Sequence, residues 1–428
     1  MKKAQMKAYH ETVRQLSDRI VKAQEPIRIL DAIKWDDRIE SAFFASKCKE
    51  LPLVDIDYYQ GRPLSFDPDS KRDEFYEIER DIARRLGNFN PLGRIMRRIC
   101  REYRLVSTML ENRGKPAFGR ISQELYGTAS EVFHAGDPTL ADLGRMMDAT
   151  LTKLSASDVI QDEDKTINAE QAAKQLDERL NAKFNDTQVR VLLDDNIVAD
   201  AAAGSDYLKI RRDAMFNQRD IDILFVHEGM VHLGTTLNGQ RQSICTFLSK
   251  GPPSSTITQE GLAILMEVIA FVSYPTRLRK LANRIQAVDL VENGADFIDI
   301  YQFFVKQGFS EKTSYTNATR VFRGSTPTGK PFTKDLSYTK GFVMLYNFLQ
   351  LAVQKGNLNA IQMLFCGKTN LEDIKVLTQL AEEGLVQAPV FLPDQLRDMS
   401  ALSAWMCFSN FLNHLTLDRV ESDYAALL

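Results

Sequence analysis

The sequence predicts an α+β fold that is predominantly helical, with one small β-sheet and a helical N-terminal region. Three observations carry this expectation. Apolar residues recur at three- and four-residue spacing through roughly the first 155 positions, as in Ile95, Ile99, Tyr103 and Val106, which marks helices with one face in a core. Convincing strand alternation is confined to one neighbourhood: Val189, Val191 and Leu193, and then Tyr207-Leu208-Lys209-Ile210-Arg211. From Asn217 onward helical spacing returns, punctuated by Gly, Pro and Ser at 251–255 and 324–331. The chain of 428 residues therefore divides into a helical N-terminal region, 1–160, and a second region, 161–428, that carries the candidate chemistry.

Each element follows from its residues. Around Ile95 and Ile99, Arg94, Arg97, Arg98, Arg101 and Arg104 occupy the other side of the helix; a solvated face is the simpler reading and an anion site the sharper one. The polar, acidic stretch 155–164 reads as a linker or surface loop. A helix is expected at 169–183. The strand beginning at Val189 stops at Asp194-Asp195, and the strand at 207–211 alternates cleanly, as expected of an edge strand whose second face meets solvent or substrate. Asn217 is a good N-cap, with Asp220 in a box position and Ile221, Leu224 and Phe225 on the apolar face. A further helix, capped by Thr256 or Thr258, is expected to run through 260–276.

Composition narrows the function classes. A net charge of −3 offers no electrostatic reason for nucleic acid or an anionic membrane as partner. The opening residues lack the apolar run of a secretory signal, and no window approaches the roughly 18 uncharged apolar residues of a membrane span. Even the apolar stretch 261–274 is interrupted by Glu267. Cys48, Cys100, Cys245, Cys366 and Cys407 are scattered and never form C-x-x-C, which argues against disulfides and against a thiolate zinc site. Small buried hydrophobes in a reducing, cytoplasmic protein are the expectation. His10, His134 and His414 stand alone and read as surface or core residues.

The two remaining histidines lie together in Val226-His227-Glu228-Gly229-Met230-Val231-His232-Leu233. Zinc takes neutral imidazoles that converge, and a helix supplies two when they point the same way. In H-E-x-x-H the pair is four residues apart, about 40° out of line; here it is five apart, about 140° out of line on a regular α-helix. A wide π-type turn realigns an i, i+5 pair, so a π-bulge or helix end is predicted between His227 and His232, with Gly229 and Gly234 lowering its cost. A catalytic site needs a third ligand and an open position. Glu260 is the candidate: with Glu267 it is one of two charges in a helix otherwise built from Leu262, Leu265, Met266, Val268, Ile269 and Phe271. A carboxylate in such surroundings needs a cation or several hydrogen bonds. Glu267, seven residues on and on the same face, suits a supporting hydrogen bond; pairing of both with N-terminal arginines is the plainer alternative. Glu228 points away from the histidine side and suits a general base acting on zinc-activated water. This motif places a zincin-like catalytic domain, with an HExxxH active-site helix, at 161–428.

At these residues the sequence resembles the microtubule-associated tyrosine carboxypeptidase (MATCAP) family, and more closely its bacterial members known as flavohemoglobin expression-modulating QEGLA-motif proteins. The matching elements are His227-Glu228-Gly229-Met230-Val231-His232, Gln259-Glu260-Gly261-Leu262-Ala263, Arg320-Val321-Phe322-Arg323-Gly324 and Pro331-Phe332-Thr333-Lys334-Asp335. The resemblance covers about 30–410, most specifically 190–345. It implies Zn2+ held by His227, His232 and Glu260, Glu228 as base, and removal of a C-terminal residue, tyrosine in the animal enzymes. The animal proteins carry basic low-complexity regions for microtubules, which this chain lacks, so a bacterial peptide or protein tail is the expected substrate.

The residues support a carboxypeptidase on their own terms. Such an enzyme needs a cation for the terminal carboxylate and a donor for the tetrahedral oxyanion. Arg320, Arg323, Lys330 and Lys334 cluster in one stretch, with Arg320 and Lys334 the first choices for the carboxylate; ordinary surface charge, with Thr333 or Asp335 as an N-cap, is the alternative. Tyr338 is the candidate donor, against a core tyrosine. The strand at 207–211 is a candidate for pairing with the substrate backbone. A zinc endopeptidase or other amide hydrolase, and a regulatory protein with a structural zinc, remain as competing readings.

Overall fold

A computed structural model of the chain describes residues 2–155, 163–185, 187–195, 197 and 199–414. The N-terminal helices are α1 (Lys2–Gln24), α2 (Ile29–Ile33), α3 (Asp37–Ala45), α4 (Ile56–Gln60), α5 (Pro68–Leu86), α6 (Pro91–Glu111), α7 (Pro116–Tyr126) and α8 (Leu140–Ser155). The predicted periodicity holds in α6, where Ile95, Ile99, Tyr103 and Val106 are all buried. Arg94 and Arg101 are exposed, as a solvated face requires, but the stripe also makes ion pairs. Arg98 clamps Asp373, and Arg101 and Arg104 share Glu79, so the stripe ties neighbouring helices together. The boundary near 160 and residues 156–162 of the predicted linker lie outside the described residues, while Glu163 at its end pairs with Arg219.

Next come β1 (Ile167–Asn168), α9 (Ala169–Lys183), β2 (Arg190–Asp194), β3 (Ala201–Ala203), β4 (Tyr207–Arg211) and β5 (Met215–Phe216). β1 and β5 pair antiparallel, and the larger sheet has the order β2-β4-β3, with β2 parallel and β3 antiparallel to β4. The strand expected at the edge is therefore central. Leu208 and Ile210 are fully buried on one face, but both edges of β4 are occupied, and the free edge toward the rest of the molecule belongs to β3.

Asn217 caps α10 (Gln218–Leu224) through the full box with Asp220. A π-helix, Phe225–Leu233, follows without a break and passes into α11 (Gly234–Gln240). The rest is helical: α12 (Pro253–Ile269), α13 (Pro275–Glu292), α14 (Phe297–Lys306), α15 (Glu311–Phe322), a 3-10 turn at Thr333–Leu336, α16 (Ser337–Gln354), α17 (Leu358–Met363), α18 (Ile374–Glu382), α19 (Asp394–Arg397) and α20 (Met399–Leu412). α12 starts at Pro253, earlier than the threonine caps predict. Glu102, from α6, accepts both the Ser254 backbone N–H (2.9 Å) and its hydroxyl (2.8 Å), so the orphan donors of the first turn are met from a distant helix. The helix also ends early: Phe271 takes φ 55° and α13 begins afresh at Pro275.

The buried residues form three cores, two of which meet at the π-helix. The largest joins α1, α5 and α6 to α12 and the C-terminal helices, running from Val13 to Met406. A second joins α3 to α13, α14 and α15 around Phe43, Phe297 and Tyr315, and a third joins α9 to the sheet. Val226 and Val231 belong to the first and Met230 and Leu233 to the third, so the segment is gripped from two sides. Full burial of each such side chain stabilises by about 1.5–3 kcal/mol. α12 and α16 cross at glycines: a Cβ on Gly261 would lie 2.1 Å from the Gly341 carbonyl carbon, and one on Gly341 1.9 Å from Ile257 O. Contact this close is open only to residues without a side chain, and it brings Glu260 and Tyr338 to one place. Among the described residues no helix is long and apolar enough to cross a membrane.

Candidate metal centre

The five-residue spacing is resolved by the backbone. Gly234 N–H donates to Gly229 O, five residues back, and the widened turn carries both histidine side chains to one side. Carbonyls in that turn find other donors. His232 O accepts from Thr236 Oγ1 (2.8 Å), Thr235 Oγ1 (3.1 Å) and Lys368 Nζ (2.8 Å). Gly229 also has a packing role. The segment stays in right-handed helical geometry at both ends, and a Cβ at Gly229 would meet Leu180 Cδ2 at 2.5 Å. Glycine there lets Leu180 of α9 pack closely, while Gly234 has ordinary room.

His227, His232 and Glu260 converge. His227 Nε2 lies 3.6 Å and His232 Nε2 3.3 Å from Glu260 Oε2, and one ligand atom from each residue falls within 4.8 Å of the others. Tetrahedral ligands at 2.0–2.2 Å from a zinc ion stand roughly 3.3–3.6 Å apart, so the two histidine–carboxylate separations suit such an ion. Two further observations agree. Glu260 Oε2 is buried with no hydrogen-bond partner, whereas Oε1 accepts from Lys334 Nζ at 2.8 Å. His227 Nδ1 is 2.6 Å from Glu267 Oε1, which fixes Nδ1 as the protonated nitrogen and turns the Nε2 lone pair toward Glu260.

The electrostatics favour positive charge at the centre of the cluster. Burial opposes charge on His227, yet Glu260, Glu267 and Glu228 outweigh it and raise its pKa to about 10. Burial likewise opposes ionisation of Glu260 and Glu267. Lys334 and the histidines nevertheless hold Glu260 well below the carboxylate range, and Arg277, with His227, brings Glu267 to about 2. Glu228 is not part of the trio. Its Oε2 accepts the Ala203 N–H at 3.0 Å and its Oε1 sits 4.0 Å from His227 Nε2, beside the open face of the cluster.

A cavity of about 550 Å³ opens over this cluster and is lined by Glu228, His232, Glu260, Lys334, Tyr338 and Lys368, by Arg320 and Arg323 of the α15 end, by β3, and by residues 30–40. The predicted cations differ in commitment. Arg320 is held by Asp335 through two 2.8 Å bonds, and Arg284 stands 3.9 Å from the same carboxylate. Burial opposes charge on Asp335, but Arg320 and Arg284 hold its carboxyl far below the ordinary range. Arg323 is 7% exposed, stacks over Phe332 at 5.3 Å, and its Nε has no acceptor. Burial and the neighbouring Arg320 lower its pKa to about 10. Lys330 does not line the cavity; it packs on Gly119. Tyr338 lies with its ring centroid 6.4 Å from that of His227, and Arg284 and Lys334 sit over its face at 5.2 and 5.8 Å. Thr333 bonds Ser122, and Asp335 is occupied by Arg320, so neither caps α16.

With this geometry established, one comparison is decisive: the family model for microtubule-associated tyrosine carboxypeptidase (MATCAP) matches residues 41–414. The chain belongs to the MATCAP family. No curated protein matches it. The family is one of carboxypeptidases, and the Gln259-Glu260-Gly261 motif of this member has a physical reading residue by residue. Gln259 Oε1 accepts from Thr235 (2.7 Å) and Lys368 (3.1 Å), Glu260 faces the histidines, and Gly261 admits α16.

Sequence reasoning did not find Arg277, Lys368 or β3. Arg277 donates to Glu267 at 2.9 Å, and Lys368 joins the π-turn to Gln259, with burial lowering its pKa to about 7 despite Glu228 and Glu260. No local signal marks any of them: Arg277 lies across a helix break, Lys368 is more than a hundred residues from its partners, and Ala201-Ala202-Ala203 has no alternation. Of the cysteines, Cys100, Cys245 and Cys366 are buried as expected, and Cys407 is exposed.

Proposed function

We propose that the chain is a zinc-dependent carboxypeptidase with a zincin-like catalytic region, which removes the terminal residue of a peptide or protein tail in the cytoplasm. The observation that carries the reading is the trio His227, His232 and Glu260 with an unpartnered buried carboxylate oxygen at its centre and Glu228 beside its open face. When bound there, zinc would supply Lewis acidity, lowering the pKa of water and polarising the scissile carbonyl.

The remaining work falls to the chain's own residues. Glu228, held by the Ala203 N–H, takes the proton of the attacking water and returns it to the departing amine. Tyr338, whose hydroxyl is in no hydrogen bond among the described residues, donates to the developing oxyanion. Arg323 receives the substrate's terminal carboxylate, because Arg320 is committed to Asp335 and Lys334 to Glu260. The substrate backbone runs beside β3, whose free edge borders the cavity. A cationic end to the cavity favours exopeptidase over endopeptidase action, and an intact Glu228 disfavours a purely structural zinc site.

The test is C-terminal profiling of a peptide library with purified wild type and Glu228→Gln. Wild type should carry about one zinc per chain and shorten peptides from the C-terminus. Glu228→Gln should retain the metal and lose at least about a hundredfold in kcat. Internal cleavage defeats the carboxypeptidase reading, and zinc content unchanged in His227→Ala/His232→Ala defeats the metal assignment.

A further inference from the structure

The cavity is electrically two-ended. Its inner end holds Arg320, Arg323 and Lys334, whereas its mouth is closed by residues 30–40, which contribute Asp31, Asp36, Asp37 and Glu40 against one cation, Lys34. Exposed Arg38 offsets Asp36, the N-cap of α3. Asp31, Asp37 and Glu40 remain, with Asp31 and Asp37 in no side-chain hydrogen bond or ion pair among the described residues. Neighbouring cations have carboxylates of their own: Lys209 pairs with Asp194 and Lys312 with Asp213. The segment spans the mouth. Asp31 lies within electrostatic reach of Lys209 of β4, and Lys312 of α15 within reach of Glu40.

α15 measures the distance between the two ends. Its Tyr315 lies by the mouth, within electrostatic reach of Glu40, and Arg323 caps its inner end. Eight residues of helix span about 12 Å, the length of three to four residues of extended peptide at about 3.3 Å each. A peptide whose terminal carboxylate meets the unpartnered, buried Arg323 guanidinium therefore carries its second to fourth residues from the C-terminus past Asp31, Asp37 and Glu40. The family match begins at residue 41, so this wall lies outside the matched region.

We infer that this member selects tails with basic side chains just upstream of the terminal residue, and that Asp31, Asp37 and Glu40 are its specificity-determining residues. The inference rests on the proposed binding of a peptide C-terminus and adds the chemical class of the tail. Lysine or arginine at those positions completes the acidic mouth, while a tail of glutamates meets like charge there before its carboxylate reaches Arg323.

The experiment compares octapeptides ending in tyrosine that carry lysine, alanine or glutamate at the second to fourth positions from the C-terminus. The zinc-supplemented full chain is used, with kcat/KM and fluorescence-anisotropy binding read in parallel. The lysine tail should exceed the glutamate tail by about tenfold or more at low salt, since each exposed pair contributes up to about fivefold, and the margin should shrink toward 1 M salt. Asp31→Lys/Asp37→Lys, checked for an unchanged melting temperature, should bring the ratio to one or reverse it. Equal or glutamate-favouring cleavage overturns the inference and leaves the carboxypeptidase reading standing. If no tail is cleaved, the hydrolytic reading fails. Binding then decides: lysine-selective binding lost in the double variant upholds the acidic wall, and unselective binding overturns it.

Discussion

Around the π-turn, carboxylates prevail: Glu228, Glu260 and Glu267 surround two imidazoles, with Arg277 paired to Glu267, Lys334 paired to Glu260, and Lys368 on the His232 carbonyl. Around Asp335 the balance reverses, and Arg284, Arg320 and Arg323 gather at a single carboxylate. Each cluster leaves buried atoms unpaired. In the first, Glu260 Oε2 is an acceptor without a donor; in the second, Arg284 Nε and Arg323 Nε are donors without an acceptor, and of these two arginines Arg323 lines the cavity. Buried polar atoms left unpaired cost about 1–3 kcal/mol each. On the proposed reading, a metal ion at Glu260 Oε2 and a terminal carboxylate at Arg323 Nε would relieve both.

Separating the paired from the unpaired arginine is the strongest way to break this comparison. Asp335→Asn removes the partner of Arg320 and leaves buried cations uncompensated, so it should destabilise by about 3–5 kcal/mol. The pH dependence has a definite sign. Asp335 titrates in the folded protein well below its unfolded value, so its contribution is full above about pH 4 and is lost as pH falls from there toward the folded pKa. Denaturant unfolding of wild type and variant should accordingly converge in acid and differ most at neutral pH. A constant gap across that range contradicts the ion-pair account.

Arg323→Met makes the converse case. No acceptor is orphaned by the change, so the melting temperature should hold or rise, while kcat/KM should fall by about 10–100-fold through KM, as for loss of a charge-assisted hydrogen bond. Arg320→Met should do the opposite, lowering stability first because Asp335 is then stranded. A loss of stability in Arg323→Met equal to that in Arg320→Met would erase the distinction between the two arginines.

What could be read from the sequence follows the same division. The π-turn was legible because five-residue spacing and 100° per residue are incompatible with a shared ligand on a regular helix, leaving a π-type turn or a helix end, of which the structure has the first. Glu260 and Glu267 were legible because a charge in an apolar helix is itself anomalous. The family resemblance, carried by the same motifs, agrees with the match over residues 41–414. Other features were closed to sequence reading. Alternation in Tyr207–Arg211 reports which face is buried and says nothing about which strands lie alongside, so a central strand was read as an edge. The start of α12 depends on Glu102, and the commitment of Arg98 on Asp373; both are long-range pairings that no local pattern encodes. The arginines near Asp335 were found as a group, but their ranking required knowing which of them Asp335 holds.

Glu267 gives the finest test, because it acts on the metal cluster only through His227. Its Oε1 meets His227 Nδ1 at 2.6 Å and Arg277 Nη2 at 2.9 Å, with no exposure to solvent. Glu267→Gln keeps the size and one acceptor but removes the charge that secures the imidazole tautomer, so zinc affinity measured by competition with a chelator should weaken by at least about tenfold. At saturating zinc, kcat should largely recover, since Glu228 and the cavity are untouched. Arg277 would be left buried without its counter-ion, so some loss of stability is expected as well. Arg277→Met in the Glu267→Gln background removes that stranded charge and should restore the melting temperature but not the zinc affinity. Recovery of both together would mean that Glu267 serves only the packing of α13, and that the orientation of His227 is set elsewhere.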